Sequence, residues 1–185
     1  MDQYEVESFF KKEITSKVHS LLVVNMGGIT TDTTDNIALI LTKNYSKGIW
    51  FSTYYPTEVL LGRVGFQKGE GESILFIDSA SKEKNCSLPK NAIDFPKTTS
   101  LSEVSRIITK TLDSGKKFRF FFSESFSNIL SENKSKEAAQ FINYLLAKLK
   151  NHGVEMVVIS LKGIVDAESI KAVQGSFDKV LTAKD

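Results

Sequence analysis

The sequence predicts an α/β protein, a three-layer α/β/α sandwich around a mainly parallel central sheet. Three observations carry that expectation. Short apolar runs such as Leu21 to Val24 and Val154 to Leu161 read as strands buried on both faces. Between such runs lie stretches whose apolar residues recur every three or four positions, as on a helix with one face against a core. The two kinds alternate, and strands joined through helices form right-handed crossovers between parallel neighbours.

Taken in order, Val6, Phe9, Phe10, Ile14 and Val18 give an amphipathic helix over residues 4–18. Ser20 to Asn25 is the first core strand, bounded by Gly27 and Gly28. Helical spacing returns from Asp32 to Asn44 and stops at Lys47 and Gly48, before a strand over Ile49 to Tyr54. A helix led by Pro56 runs through Leu60 and Leu61, and Ser73 to Asp78 is the next strand. A polar stretch from Ser81 to Lys90 precedes a short strand at Ala92 to Phe95. Ser100, with Glu103 three residues on, opens a helix to Ser114 in the pattern of a capping box, and Lys117 to Ser123 follows as a strand. Asn133 to His152 is a longer helix closed by Gly153, and Val154 to Leu161 is an almost wholly apolar strand. A helix from Asp166 and a strand at Lys179 to Thr182 complete the count. With 185 residues and no Pro/Ser-rich linker, the expectation is one domain over 1–185, the helix of residues 1–19 packing on it.

Composition narrows the function classes. Lys and Arg number 24 against 22 for Asp and Glu, so a net charge of +2 sets up no global field for nucleic acid, and any basic face is local. Cys86 alone, with two histidines, supplies no ligand set for structural zinc and fits a reducing, cytoplasmic setting. The longest apolar runs fall far short of the roughly 20 residues of a membrane helix, and the acidic opening residues do not read as a secretory signal.

In an open parallel sheet, ligands meet the carboxyl ends of the strands. The segments to read are therefore Asn25 to Asp35, Tyr54 to Thr57, Asp78 to Ser81, Ser123 to Ser127 and Leu161 to Asp166. The first lies where a phosphate-binding loop would lie. Such a loop needs Gly-x4-Gly-Lys-Ser/Thr, with glycines that let N–H groups curl round the anion, a lysine to neutralise it and a hydroxyl for magnesium. Framed on Gly27, the hydroxyl is kept at Thr34, but Asp32 and Thr33 stand where glycine and lysine belong. A carboxylate at about 4 Å from a phosphate charge costs roughly 4 kcal/mol at an effective dielectric of 20.

From about Ser20 onward the order of segments resembles the RecA-like ATPases of the KaiC type, found especially in archaea. Leu21 to Tyr54 is similar to that family's strand, phosphate loop, helix and second strand. Phe118 to Leu130 resembles its second motif, with Glu124 in place of Asp and Ser125 retained, and Asp178 to Leu181 looks like its closing strand. The resemblance implies a RecA-like P-loop NTPase architecture and oligomers with the site near subunit edges. Without the lysine and second glycine, the expected function is that of a non-catalytic pseudo-ATPase, regulatory or signalling, that binds a protein partner or itself and needs no cofactor. The alternative is a nucleotide-binding protein or weak ATPase. It would hold ATP and Mg²⁺ through Thr30, Thr31, Thr33 and Thr34 and a cation from outside the loop, Arg63 or one from a neighbouring subunit.

Blander readings compete at each position. Gly27 and Gly28 serve a tight turn and Asp32 to Asp35 cap a helix. Glu124 is a strand-end carboxylate, either solvated or hydrogen-bonded. Asp32, Asp35, Asp78 and Glu124 could instead gather a divalent cation. Asp78, Ser123 and Lys162 sit at strand ends as in a phospho-receiver, but Asn25 and Met26 stand where that site needs an acidic pair. Ser123 to Ser125 lacks the small neighbours of a nucleophile elbow. His19 and His152 read as structural, Cys86 as a surface thiol, and Phe118 and Phe120 to Phe122 as core. Tyr54, Tyr55 and Pro56 lie where a purine could stack, or form rim packing.

Overall fold

The computed structural model describes residues 2–13, 18–25, 27, 30–52, 55–66, 71–78, 81, 88–95, 100–124, 131, 133–160 and 167–184. Seven strands form one sheet: β1 (Ser20–Asn25), β2 (Gly48–Ser52), β3 (Ile74–Asp78), β4 (Ala92–Asp94), β5 (Phe120–Ser123), β6 (Glu155–Ile159) and β7 (Lys179–Ala183). Their spatial order is β4-β3-β2-β5-β6-β1-β7 and each pairing is parallel. The described helices are α1 (Gln3–Glu13), α2 (Thr31–Asn44), α3 (Thr57–Val64), α4 (Leu101–Leu112), α5 (Ser135–Asn151) and α6 (Ala167–Gln174).

Alternation along the strands divides the apolar residues between two cores. Leu21, Val23, Trp50, Phe76, Phe120 and Phe122 pack with Val6 and Phe10 of α1, Ile37 and Leu41 of α2, and Leu60 and Val64 of α3. Leu22, Val24, Ile49, Phe51, Phe121 and Val158 pack with Val104 and Ile108 of α4, Phe141, Ile142 and Leu145 of α5, and Val173 of α6. Three layers result, with three of the described helices on each face. Aromatic residues fill the centre: Trp50 stacks on Phe76 at 5.7 Å and meets Phe122 edge-on at 5.0 Å. Each such side chain contributes about 1.5–3 kcal/mol through burial.

The elements follow the sequence closely, with informative differences. Gly153 adopts φ 65°, the left-handed conformation that ends α5 as its position predicts. Ser100 precedes α4 but makes no side-chain cap; its hydroxyl lies 2.8 Å from that of Ser102, so the capping box is not formed. The strand read from Lys117 begins only at Phe120, opposite Gly48 of β2. Phe118 is nevertheless 5% exposed, buried as expected for core. Among the described residues no helix is long and apolar enough to cross a membrane.

Candidate functional site

All strands point the same way, so the residues that end β1, β2, β3 and β5 share one edge, as the sequence requires of a ligand-binding edge. The turn after β1 contains Gly27 at φ 124°, a conformation that side-chain-bearing residues rarely adopt. Gly28, also part of the predicted loop, lies outside the described residues. Thr30 then caps α2: its Oγ1 accepts from the Thr33 N–H at 3.2 Å and lies 3.1 Å from the Thr33 hydroxyl. The Thr34 hydroxyl donates to the Thr30 carbonyl at 3.2 Å. Thr33 and Thr34 are buried, whereas Thr31 and Asp32 are exposed. Thr30, rather than Asp32 or Asp35, is therefore the side-chain cap of α2, which saturates one of the donors a phosphate would use.

Arg63 does not enter that loop. Its Nη2 and Nε donate to the two oxygens of Asp35 at 2.8 and 3.2 Å, and its guanidinium lies 4.3 Å from the centre of the Tyr55 ring. The third nitrogen, Nη1, is sealed from solvent and has no hydrogen-bond partner among the described residues. Burial raises the Asp35 carboxyl above its ordinary range, against the pull of Arg63.

Glu124, the acid of the predicted second motif, is 3% exposed. Trp50 donates its indole N–H to Oε2 at 2.6 Å and Ser52 its hydroxyl to Oε1 at 3.0 Å. Trp50 and Ser52 stand two residues apart on β2 and so face the same layer. Burial pushes the Glu124 carboxyl up to about 7, opposed by these hydrogen bonds and by the charge of Arg63. Of the two readings available for a strand-end acid, the hydrogen-bonded one holds and the solvated one does not. With both oxygens engaged and no exposed face, Glu124 is badly placed to move a proton on an outside substrate. Its predicted companion Ser125 lies outside the described residues.

Asp78 forms a third closed unit. Its Oδ2 accepts from the Thr57 N–H at 2.6 Å and from the Thr57 and Ser81 hydroxyls, and its Oδ1 from the Ser81 N–H at 2.9 Å. Burial raises its carboxyl, but the bonds from Ser81 and Thr57 outweigh that and hold it below the ordinary range. Asp35, Asp78 and Glu124 thus each bind separate protein donors instead of converging on a cation. Among the described residues no three acidic, histidine or cysteine side chains group as a metal site would require.

Ser123 is fully buried and its hydroxyl has no hydrogen-bond partner among the described residues. His152 lies far from this edge, between the Lys148 carbonyl and Asp113. Tyr54, Cys86 and Lys162 lie outside the described residues. The three clusters themselves were not visible in the sequence, although the two-residue spacing of Trp50 and Ser52 signals a shared polar pocket on one face of β2.

No known protein family and no curated protein matches the sequence. Among solved structures, the uncharacterized protein PH0321 from Pyrococcus horikoshii, crystallised in complex with an unknown peptide, superposes with a TM-score of 0.65 and 16% identity over 98% of this chain and 84% of its own. A structure described as a structural study of Project ID PH0250 from Pyrococcus horikoshii OT3 gives a TM-score of 0.60 at 10% identity, over 100% and 89% of the two chains. At these identities the likeness is one of fold.

Proposed function

We propose that the chain is a non-catalytic domain of the RecA-like, KaiC-type fold that acts through protein–protein contact, with a partner or with further copies of itself, in a regulatory role. One observation carries the reading: the amino end of α2, where a triphosphate would be gripped, is capped by its own Thr30 and carries exposed Asp32 in its first turn. The other groups that could serve a nucleotide support it. Arg63 is committed to Asp35, and Glu124 to Trp50 and Ser52. A fold neighbour that was crystallised holding a peptide is in keeping with a binding role.

Equilibrium titration with ATP and ADP, with and without Mg²⁺, tests this beside light scattering on a sizing column. The expected result is no heat of binding and no thermal shift. A shift of several degrees that saturates with Mg-ATP overturns the reading in favour of a nucleotide-binding protein, because a ligand bound to the folded state stabilises it by mass action. Thr33→Lys, which restores the missing cation, would then tighten that binding.

A further inference from the structure

The opposite edge of the sheet carries a group of exposed cations. Each of the six described helices has an acid in its first turn and a base in its last, and these bases lie toward the amino ends of the strands except Arg63 of α3, which reaches back to Asp35. Complementing the helix dipoles accounts for those bases. It does not account for Lys47, Lys116, Lys117 and Arg119, which lie in the loops leading into β2 and β5, beyond the helices. The Arg119 N–H bonds to the Lys47 carbonyl at 2.8 Å, so these two residues are neighbours across the β2 and β5 entry loops. All four are exposed, and among the described residues none of the four makes an ion pair.

Among the described acids at this edge, Asp113, Glu155 and Asp178 are each engaged, whereas Glu72, just ahead of β3, is exposed. Asp113 bridges Lys148 and His152, Glu155 accepts from the Tyr45 hydroxyl, and Asp178 accepts from the His19 N–H and the Ser20 hydroxyl. Between the end of α4 and the start of β6 opens a cavity of about 390 Å³. Leu112, Phe118 and Val154 form its apolar floor, and Lys116, Lys117 and His152 stand on its rim with Asp113, whose carboxylate is paired to Lys148 and His152.

We propose that this amino-terminal edge docks an acidic segment of a partner protein, an apolar side chain of that segment seated in the cavity and its carboxylates on Lys116, Lys117 and their neighbours. The chemistry favours a polypeptide over a nucleic acid. An apolar floor suits an aliphatic side chain, which a phosphate backbone does not carry, and the exposed tyrosines Tyr4 and Tyr144, which could stack on bases, lie on α1 and α5 away from this cavity. The proposal rests on the protein-binding reading only in taking the occupant to be a protein. Nucleotide titration probes the other edge, so either can fail alone.

The test is fluorescence anisotropy with a labelled glutamate-rich peptide carrying one leucine. Its comparators are the same peptide without the leucine and a labelled single-stranded oligonucleotide. Binding of the leucine peptide is expected at low salt, weakened about tenfold or more at high salt and by Lys116→Glu/Lys117→Glu, and weakened also by omission of the leucine. Both lysines are exposed, so an unchanged melting temperature separates lost binding from lost fold, and Lys47→Glu gives an independent second variant. The proposal fails if the peptide does not bind at low salt, if the double variant binds it equally well, or if the oligonucleotide binds more tightly. Concentration-dependent self-association that the double variant abolishes, without peptide binding, assigns the edge to a second copy of the chain and likewise overturns it.

Discussion

Trp50 and Glu124, 74 residues apart in the chain, are joined by an indole N–H donated at 2.6 Å to a carboxylate oxygen with almost no exposure. The bond couples the chain's single tryptophan to a carboxyl that changes charge near neutral pH.

Emission from Trp50 is therefore expected to titrate with a midpoint near 7, and to stop doing so in Glu124→Gln. Stability follows with a definite sign. The folded-state value lies above the ordinary 4.5, so the contribution of Glu124 is full below that value and is lost as pH rises toward about 7. Glutamine mimics the protonated acid, accepting from Trp50 and donating to Ser52. Glu124→Gln should match the native chain near pH 4.5 and exceed it above pH 7, by at most on the order of 3 kcal/mol. Urea unfolding at several pH values measures both.

Removing Arg63 strands Asp35. Arg63→Ala is expected to destabilise by about 2–3 kcal/mol, because a buried carboxylate loses a bidentate partner. Arg63→Lys restores only part, since one ammonium cannot span both oxygens. The same loss takes a positive charge away from Glu124, so the Trp50 titration should move to higher pH. A midpoint that stays in place would show that Arg63 does not act on Glu124.

Asp78 fixes the start of α3 and the turn after β3 through four accepted bonds. Asp78→Ala should cost about 2–4 kcal/mol by leaving buried donors unmet. Its carboxyl is held below the ordinary range, so its contribution is present above that range and fades as pH falls through the folded-state value. The difference between variant and native chain in denaturant unfolding should shrink in acid.

A methyl group at Gly48 would lie 2.0 Å from Cζ of the buried Phe120 ring, which Tyr45 packs against at 5.8 Å. Gly48→Ala is expected to destabilise by about 1–3 kcal/mol through overpacking. Adding Phe120→Leu should recover part of that, giving a non-additive pair in calorimetry.

The sequence was most legible where one element decides its own form. Ser20 to Asn25 is read residue for residue as β1, because a continuous apolar run between breakers leaves no other choice. It was least legible where partners decide. Lys117 to Arg119 continues the apolar and charged pattern of β5, yet the ladder starts at Phe120 because β2 starts at Gly48. Ser100 and Glu103 have the spacing of a capping box, but a hydroxyl two residues on takes the serine. At the site, Glu124 was legible as a strand-end acid, while its bond to Trp50 depends on β2 lying beside β5, a neighbourhood that no local pattern encodes. Asp35 reads as a helix-capping acid for the same reason, since only the packing of α2 on α3 brings it to Arg63.

β1 lies between β6 and β7, and Ser20 exchanges hydrogen bonds with Asp178, 158 residues further along. β1 is thus enclosed by two strands more than 130 residues further along, so neither of its ladders can form until those distant segments are in place. Pairings of such long sequence separation close late and slow folding, and until they close both edges of β1 are open to pairing with other chains.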